Sequence, residues 1–366
     1  MLTRLLLGLD RNLFEQRVVS LTGRGVFGET IEAAGIPLIS LGMTGFHTIP
    51  RTLRRLRRII AAHRPDIVQT WLYHADLLGL LGARLAGDAA VVWNIRCAGL
   101  APRDVPRSTH WLIRLLARLS PRPEAVLFNS VAGQQAHWAL GYRPRAGLTI
   151  HNGFDLQTWR PDLQRRMDFR TEIGVTDSIF LVGLVARYHR IKDHRCFLAA
   201  AARIRSCSTA ARFVLAGHGI TWSNQALVAD IEEFGLQDSV ILLGSRSDMV
   251  GMMAGLDCLV LTSTSEGFPN VIGEAMASGV PCVTTDAGDA RLIVAETGRI
   301  VPIGDARGVA DGVLALMAGS HQEKAALAER CRAQIADNFG IERALARYAD
   351  FYQELNEQRK QRTSGQ

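Results

Sequence analysis

The chain has 366 residues, 48% hydrophobic and 21% charged, a globular balance in a length that favours two domains over one core. No apolar run approaches the ~18 residues that cross a bilayer. Residues 1–9 carry Arg4 and no small-residue cleavage site, and the six cysteines form no CxxC pair, so neither a signal peptide, a zinc site nor a disulfide framework is expected, and the protein reads as cytoplasmic. The net charge of +7 sits at the front. Residues 1–155 hold 19 arginines, no lysine and 10 carboxylates, whereas the remainder sets 23 cations against 25 acids.

In chain order, residues 1–9 read as helix and 17–21 as strand. Helical segments at 28–34, 50–62, 75–85, 111–119 and 131–140 then alternate with extended ones at 37–41, 66–71, 91–95, 126–129 and 148–151. Short apolar strands alternating with helices predict a parallel sheet covered by helices on both faces. Two of these segments, near residues 51–60 and 107–119, repeat Leu or Ile at helical spacing beside arginine. Each is compatible with a helix lying on an anionic membrane and with a core-facing helix whose arginines are solvated. No nucleic-acid motif accompanies them.

The alternation pauses at Asn152-Gly153-Phe154-Asp155, and residues 161–177 are polar without clear period, which places a domain boundary at 155/156. A strand at 179–185 restarts it, followed by helices at 196–204, 224–234 and 248–254 and strands at 213–216 and 240–243. Residues 299–301 read as extended, 307–317 and 321–337 as helices, 341–354 as an amphipathic closing helix, and 358–366 as a disordered tail.

The most informative stretch is 263–289, STSEGFPNVIGEAMASGVPCVTTDAGD. It lies between strand-like runs at 258–261 and 280–284. Pro269 and Asn270 open a short helix at 271–278 that Gly279 closes. Glu266 falls in the loop and Glu274 on the helix. Gly267 lets backbone approach a ligand, and the helix start at Asn270 and Val271 offers N–H groups suited to phosphate. The neighbours of Glu274 are small or apolar, so its carboxylate is expected to be buried and to need partners.

This ordered string, from Glu266-Gly-Phe-Pro-Asn through Glu274-Ala-Met-Ala-Ser-Gly-Val-Pro, resembles the signature of the retaining glycosyltransferases of family 4. The resemblance implies the GT-B fold: an α/β chain with two Rossmann-like domains whose parallel sheets face a central cleft. The domains would be residues 1–155 on the acceptor side and 156–338 for the nucleotide sugar, with a helix at 339–357 crossing back to the first domain. It also implies site residues. Glu274 would accept from the donor ribose, Glu266 would read the transferred sugar, and Arg187 and Lys192 would hold the diphosphate, with Ala186 and Asp193 standing where the family has glycines. Gly217 and Gly219 would shape the pocket floor. Gly267, Phe268, Asn270, Val271 and the loop carrying Arg246 complete the donor side. His74 would face the donor, and Arg96, by placement after a strand, the acceptor.

The implied reaction moves a sugar from a nucleotide diphosphate to a lipid-linked or polysaccharide acceptor with retention. No Asp-x-Asp pair or P-loop occurs, so no metal or other cofactor is expected and the nucleotide sugar is the donor substrate. The basic front half suits an acceptor at the inner membrane face, with peripheral contact to anionic lipid. Alternatives are an epimerase or phosphorylase of the same fold, or a silent nucleotide-sugar-binding subunit. The last is motivated by the front end: family members begin with a strand and a glycine-rich turn, whereas residues 1–9 already read as the helix that follows. The first strand is therefore expected to be missing, with the true start upstream.

Overall fold

A computed structural model describes residues 1–100 and 105–364 and resolves two units. The front unit comprises residues 1–153 with the chain from Glu342 onward, and the rear unit is Phe154–Ile341.

The front unit runs α1 (Leu2–Gly8), β1 (Val18–Ser20), α2 (Gly28–Ala33), β2 (Leu38–Ser40), α3 (Ile49–His63), β3 (Ile67–Trp71) and α4 (Tyr73–Ala86). It continues with β4 (Ala90–Ile95), α5 (Arg107–Leu119), β5 (Ala125–Phe128), α6 (Val131–Ala139) and β6 (Gly147–Thr149). All pairings are parallel, in two sheets, β1-β2 and β3-β4-β5-β6. Alternate residues of β4 and β5 face opposite helical layers, as the period of two requires. Val91, Trp93, Ile95, Val126 and Phe128 pack on α3, α4 and α5, while Val92 and Leu127 pack on α1 and on Tyr348 and Phe351 of the last helix.

The same two layers also cover β1 and β3. Val19 and Val68 join the cluster under α3 to α5, while Leu6 of α1 packs with Val18 and Leu38, and Leu5 of α1 and Leu9 just after it pack with Ile67. The front unit's strands thus form two parallel sheets, β1-β2 and β3-β4-β5-β6, under shared helical layers. Burial follows the division: β1 and β2 are half-buried throughout and β3 nearly so, whereas every residue of β4 and β5 is buried.

The rear unit runs α7 (Leu163–Glu172), β7 (Phe180–Val185), α8 (His194–Cys207), β8 (Ala211–Ala216), α9 (Gln225–Glu233), β9 (Val240–Leu242), α10 (Met249–Gly255) and β10 (Cys258–Leu261). Then follow α11 (Asn270–Ala277), β11 (Cys282–Thr285), α12 (Ala290–Val294), β12 (Arg299–Val301), α13 (Ala306–Ala318) and α14 (His321–Phe339). Its sheet is six-stranded and parallel, ordered β12-β11-β10-β7-β8-β9.

Two readings of the sequence need correction. The polar stretch 161–177 is not irregular but contains α7, capped by Asp162, whose side chain accepts from Arg165 N at 3.0 Å. Its purpose is visible in Arg170, which is buried, pairs with Asp257, and donates to the carbonyl of Gly255 at 3.0 Å. Asp257 in turn accepts from Leu181 N at 2.7 Å, so a charged helix clamps the start of β7. The tail expected to be disordered over 358–366 is helical as far as Ser364, where α15 (Ile341–Ser364) ends, with Arg359 donating to the carbonyl of Asp66 and pairing with Asp88 at 3.5 Å; residues 365–366 lie outside the described residues.

Candidate active site

The rear sheet grows from β7 outward through β8 and β9, then reverses and grows from β10 through β11 and β12. β7 and β10 are therefore neighbours whose connections leave in opposite directions, and the crevice at their carboxyl ends is where open α/β sheets bind ligands. Arg187 and Lys192 follow β7, and Glu266 follows β10.

Hydrogen bonds between loops fix this edge. Ala186 N donates to Ala216 O at 2.9 Å and Tyr188 N to His218 O at 2.8 Å. Gly217 has φ 148°, and a Cβ there would strike the Ala186 carbonyl, so the close approach of these two loops requires glycine. Asp193 has φ 45°, the left-handed region, and its side chain accepts from Cys196 N at 3.1 Å to cap α8. An aspartate thus holds the geometry for which the family uses glycine, and adds a cap. Thr262 Oγ1 donates to the carbonyls of Lys192, at 3.0 Å, and Asp193, at 2.9 Å, tying the loop after β10 to that after β7.

Within this frame Glu266 accepts from Lys192 Nζ and from Ser263 Oγ, the latter at 2.7 Å. The two charged side chains are 19% and 13% exposed, for Lys192 and Glu266 respectively, so solvent screens their pair only in part. Arg187 differs, being exposed, with no ion-pair partner among the described residues. One neutralised cation and one available cation therefore stand at the switch point.

The family string folds around this pair. Gly267 O accepts from Asp289 N at 2.9 Å, and Gly288 has φ 61° with its hydrogen facing the carbonyls of Glu266 and Gly267, the latter 2.6 Å from where a Cβ would lie. Ser263, Thr262 and Gly288 are site-building residues that the sequence reading passed over, although Gly288 was marked by its turn after β11. At the start of α11, Asn270 is exposed and Val271 half-buried, with no side-chain cap from Pro269. Glu274 is half-buried rather than buried, while Ile272, Ala275 and Met276 of the same helix take the core. Gly219, with φ 77°, completes the turn after β8.

Three further expected site residues have partners within the protein. Phe268 is 5% exposed and packs against the rings of Phe154 and Phe339 at 6.1 and 5.4 Å, so its side chain anchors the loop from the core side. Arg246 donates through both terminal nitrogens to Glu172, at 2.6 and 2.9 Å, which holds that carboxyl below its usual range. Arg96 lies over the Trp71 ring and donates to Asn94 Oδ1 at 3.2 Å and to Asn152. Burial pulls its pKa down.

His74, in the front unit, is exposed in the first turn of α4. Leu72 before it has φ 71° and ψ 164°, a conformation almost confined to glycine. No sequence signal marked this strain, because leucine is an unremarkable residue at a strand end.

The front half matches the family pattern described as Glycosyltransferase Family 4 over residues 1–158, and the rear half that of Glycosyl transferases group 1 over residues 179–319. EpsF of Bacillus subtilis is 33% identical over 142 residues, 38% of this chain and 35% of that protein. The N-acetyl-alpha-D-glucosaminyl L-malate synthase of Bacillus anthracis is 25% identical over 57% of this chain and 53% of its own, so the chain spans about half or less of these two relatives. An Escherichia coli relative, the UDP-Gal:alpha-D-GlcNAc-diphosphoundecaprenol alpha-1,3-galactosyltransferase, is 24% identical over 82% of this chain and 79% of its own. The crystal structure of Anabaena HepE with UDP-glucose superposes with a TM-score of 0.83 at 22% identity, covering 96% of this chain and 95% of its own. Its fold is shared across both units. With both halves matched and the signature folded at the rear switch point, the chain belongs to the family 4 glycosyltransferases of GT-B fold.

Proposed function

We propose that the protein moves a sugar from a nucleoside diphosphate donor to an acceptor hydroxyl with retention of configuration. The observation that carries this reading is the set Arg187, Lys192 and Glu266 at the β7/β10 crevice, two cations and a carboxylate on loops cross-linked by backbone hydrogen bonds. As the bond from the anomeric carbon to the diphosphate breaks, negative charge grows on the leaving oxygens. Arg187, Lys192 and the start of α11 meet that charge, with no metal called for. The acceptor oxygen bonds the anomeric carbon on the face the diphosphate leaves, and its proton passes to a leaving phosphate oxygen. In this scheme Glu266 reads sugar hydroxyls, Glu274 accepts from the ribose, Gly267, Asn270 and Val271 present backbone, and His74 stabilises developing charge.

HepE in complex with UDP-glucose makes uridine donors the first to test, and the E. coli relative's name makes a diphosphate-linked lipid the first acceptor. No described helix is long and apolar enough to cross a membrane, and such an acceptor would be met at the inner membrane face. The test is a thermal-shift screen of nucleotide sugars followed by transfer assays. A stabilising donor and a glycosylated lipid acceptor are expected. Donor binding without transfer to any acceptor would make the chain a silent subunit, epimerised donor without acceptor an epimerase, and no stabilising donor would overturn the reading.

A further inference from the structure

We infer that the connection between β3 and α4 is a strained elbow in which Leu72 acts as a positioning residue for His74, an inference that rests on the role proposed for His74 above. β3 ends at Trp71 and α4 begins at Tyr73, so a single residue makes a turn for which βα connections ordinarily take about 2–6. That residue is Leu72, at φ 71° and ψ 164°. A Cβ makes this conformation costly, whereas glycine adopts it freely.

The surroundings hold the strained form in place. Leu72 is committed on both sides of its backbone, its N–H donating to Asn94 O at 3.2 Å and its carbonyl accepting from Asp76 N at 2.9 Å. Side chains then pin the first turn of α4 to the sheet. Tyr73 is buried, with its hydroxyl 2.9 Å from His137 Nε2 and 3.0 Å from Cys97 Sγ. Asp76 is also buried and bonds to the Thr70 hydroxyl of β3. Three residues on, Gly79 lets the helix press against the same threonine, since a Cβ there would overlap the Thr70 methyl group. These contacts fix where α4 starts, and the chain reaches that start only through the strained turn.

Packing does not explain a leucine at this position, because its side chain is 47% exposed. What a Cβ adds is stiffness. Glycine would open a wide range of φ and ψ at the one joint before the helix, while leucine leaves few neighbouring conformations to visit. The turn sends Tyr73 into the core and leaves His74 exposed at the carboxyl end of β3, so the stiffness falls on the group proposed to meet developing charge. Strain kept by its surroundings gathers at such sites, where it presets a side chain. A turn serving the fold alone would gain from glycine and lose nothing.

The test uses the full chain. Leu72→Gly and Leu72→Ala both lose the apolar branch of leucine, and only alanine keeps the strain, so their difference isolates the backbone. Leu72→Gly should melt roughly 2–4 °C above Leu72→Ala, yet have a kcat about tenfold lower, with the donor KM alike in both. In a His74→Ala background the two should have equal kcat, because no imidazole is left to misplace. A further readout needs no transfer. Carbon relaxation of the His74 ring, measured without donor or acceptor, should show it ordered in the unaltered protein and in Leu72→Ala, and loosened in Leu72→Gly. Equal kcat for the two variants, a glycine variant that melts below the alanine one, the same kcat gap with His74 removed, or a ring equally mobile in all three proteins would each overturn the inference. An ordered ring that glycine loosens, in a protein that transfers sugar to no acceptor, would sink the function proposed above and leave the elbow standing.

Discussion

At the scale of single residues, Arg187 and Lys192 look alike in sequence and differ in the structure, and this difference can be measured. Arg187 is exposed and unpaired, so Arg187→Ala should lower kcat on the order of 10²-fold with no change in melting temperature. Lys192 holds Glu266, so Lys192→Ala should lower both rate and stability, because Ser263 alone remains to satisfy a carboxylate that is 13% exposed. Equal melting temperatures for the two variants would refute the distinction. Glu274→Ala should weaken donor binding by roughly 1.5–3 kcal/mol, the worth of hydrogen bonds to a charged acceptor, and calorimetry showing unchanged affinity removes it from the ribose site. Asp193 separates two effects that glycine and alanine divide between them. Asp193→Gly loses the cap but gains freedom at φ 45°, for a net change of a few tenths of a kcal/mol. Asp193→Ala loses the cap and keeps the strain, costing about 1–2 kcal/mol by chemical denaturation.

At the scale of elements, α4 and α6 enclose a polar cluster that sequence reasoning did not see. His137 Nδ1 lies 2.7 Å from Gly133 O, which can only accept, so Nδ1 carries the proton and Nε2 accepts from the Tyr73 hydroxyl at 2.9 Å. Burial pulls His137 down to about 4 from 6.5, and His194 of α8 likewise to about 4. Because each histidine binds its proton more weakly when folded, its contribution is fully present above about 6.5 and is lost as pH falls through about 4. Each is worth roughly 3 kcal/mol at most. Asp76 has the opposite sign, since burial raises it well above its usual range and stability is lost as pH rises toward that raised value. With two histidines against one aspartate, melting temperature should on balance fall between pH 6.5 and 4, and His137→Gln should reduce that fall by one proton's worth. A slope unchanged in that variant would mean that folding leaves the proton affinity of His137 unaltered. Such contacts escape a sequence reading for a definite reason: Tyr73, Cys97 and His137 are spread over α4, the end of β4 and α6, and no spacing along the chain brings them together. The same holds for Arg246, whose partner Glu172 lies on a helix hidden in a stretch that looks like a linker, and for Phe268, which reads as part of a ligand motif but fills the core beneath it. What was legible was local, namely the glycines of the turns, the short helix after Pro269, and the two cations after β7.

At the scale of the whole molecule, the two large sheets were readable because parallel strands buried on both faces leave uninterrupted apolar runs, as in Val91–Val92–Trp93 and Leu259–Val260–Leu261. Periodicity also marked α15 as a helix with one apolar face, but a period says nothing of what covers that face, and only the family resemblance pointed to the front domain. The structure supplies the physical reason. Tyr348, Phe351 and Leu355 enter the front cluster with Leu5, Leu9, Val92 and Leu127. Their polar neighbours also bond within the front unit: Tyr348 accepts from Asn94 at 3.0 Å, Tyr352 donates to Gln69 at 2.6 Å, and Arg347 donates to Thr149 O at 2.8 Å. Burying those three side chains contributes roughly 5–9 kcal/mol at 1.5–3 kcal/mol each, comparable with the entire stability of a typical domain, about 5–15 kcal/mol. A front unit whose strands are split between two sheets has little to spare. Ending the chain after Gly340 should therefore unfold the front unit and leave the rear one standing, since α14 and the bridge between Phe154 and Gly340 are retained. Hydrogen exchange would read the outcome, with amides of β4 and β5 losing protection while β7, β8 and β10 keep theirs. Protection lost together in both sheets would mean that the two units fold as one, and that the last helix stabilises more than the front unit it packs against.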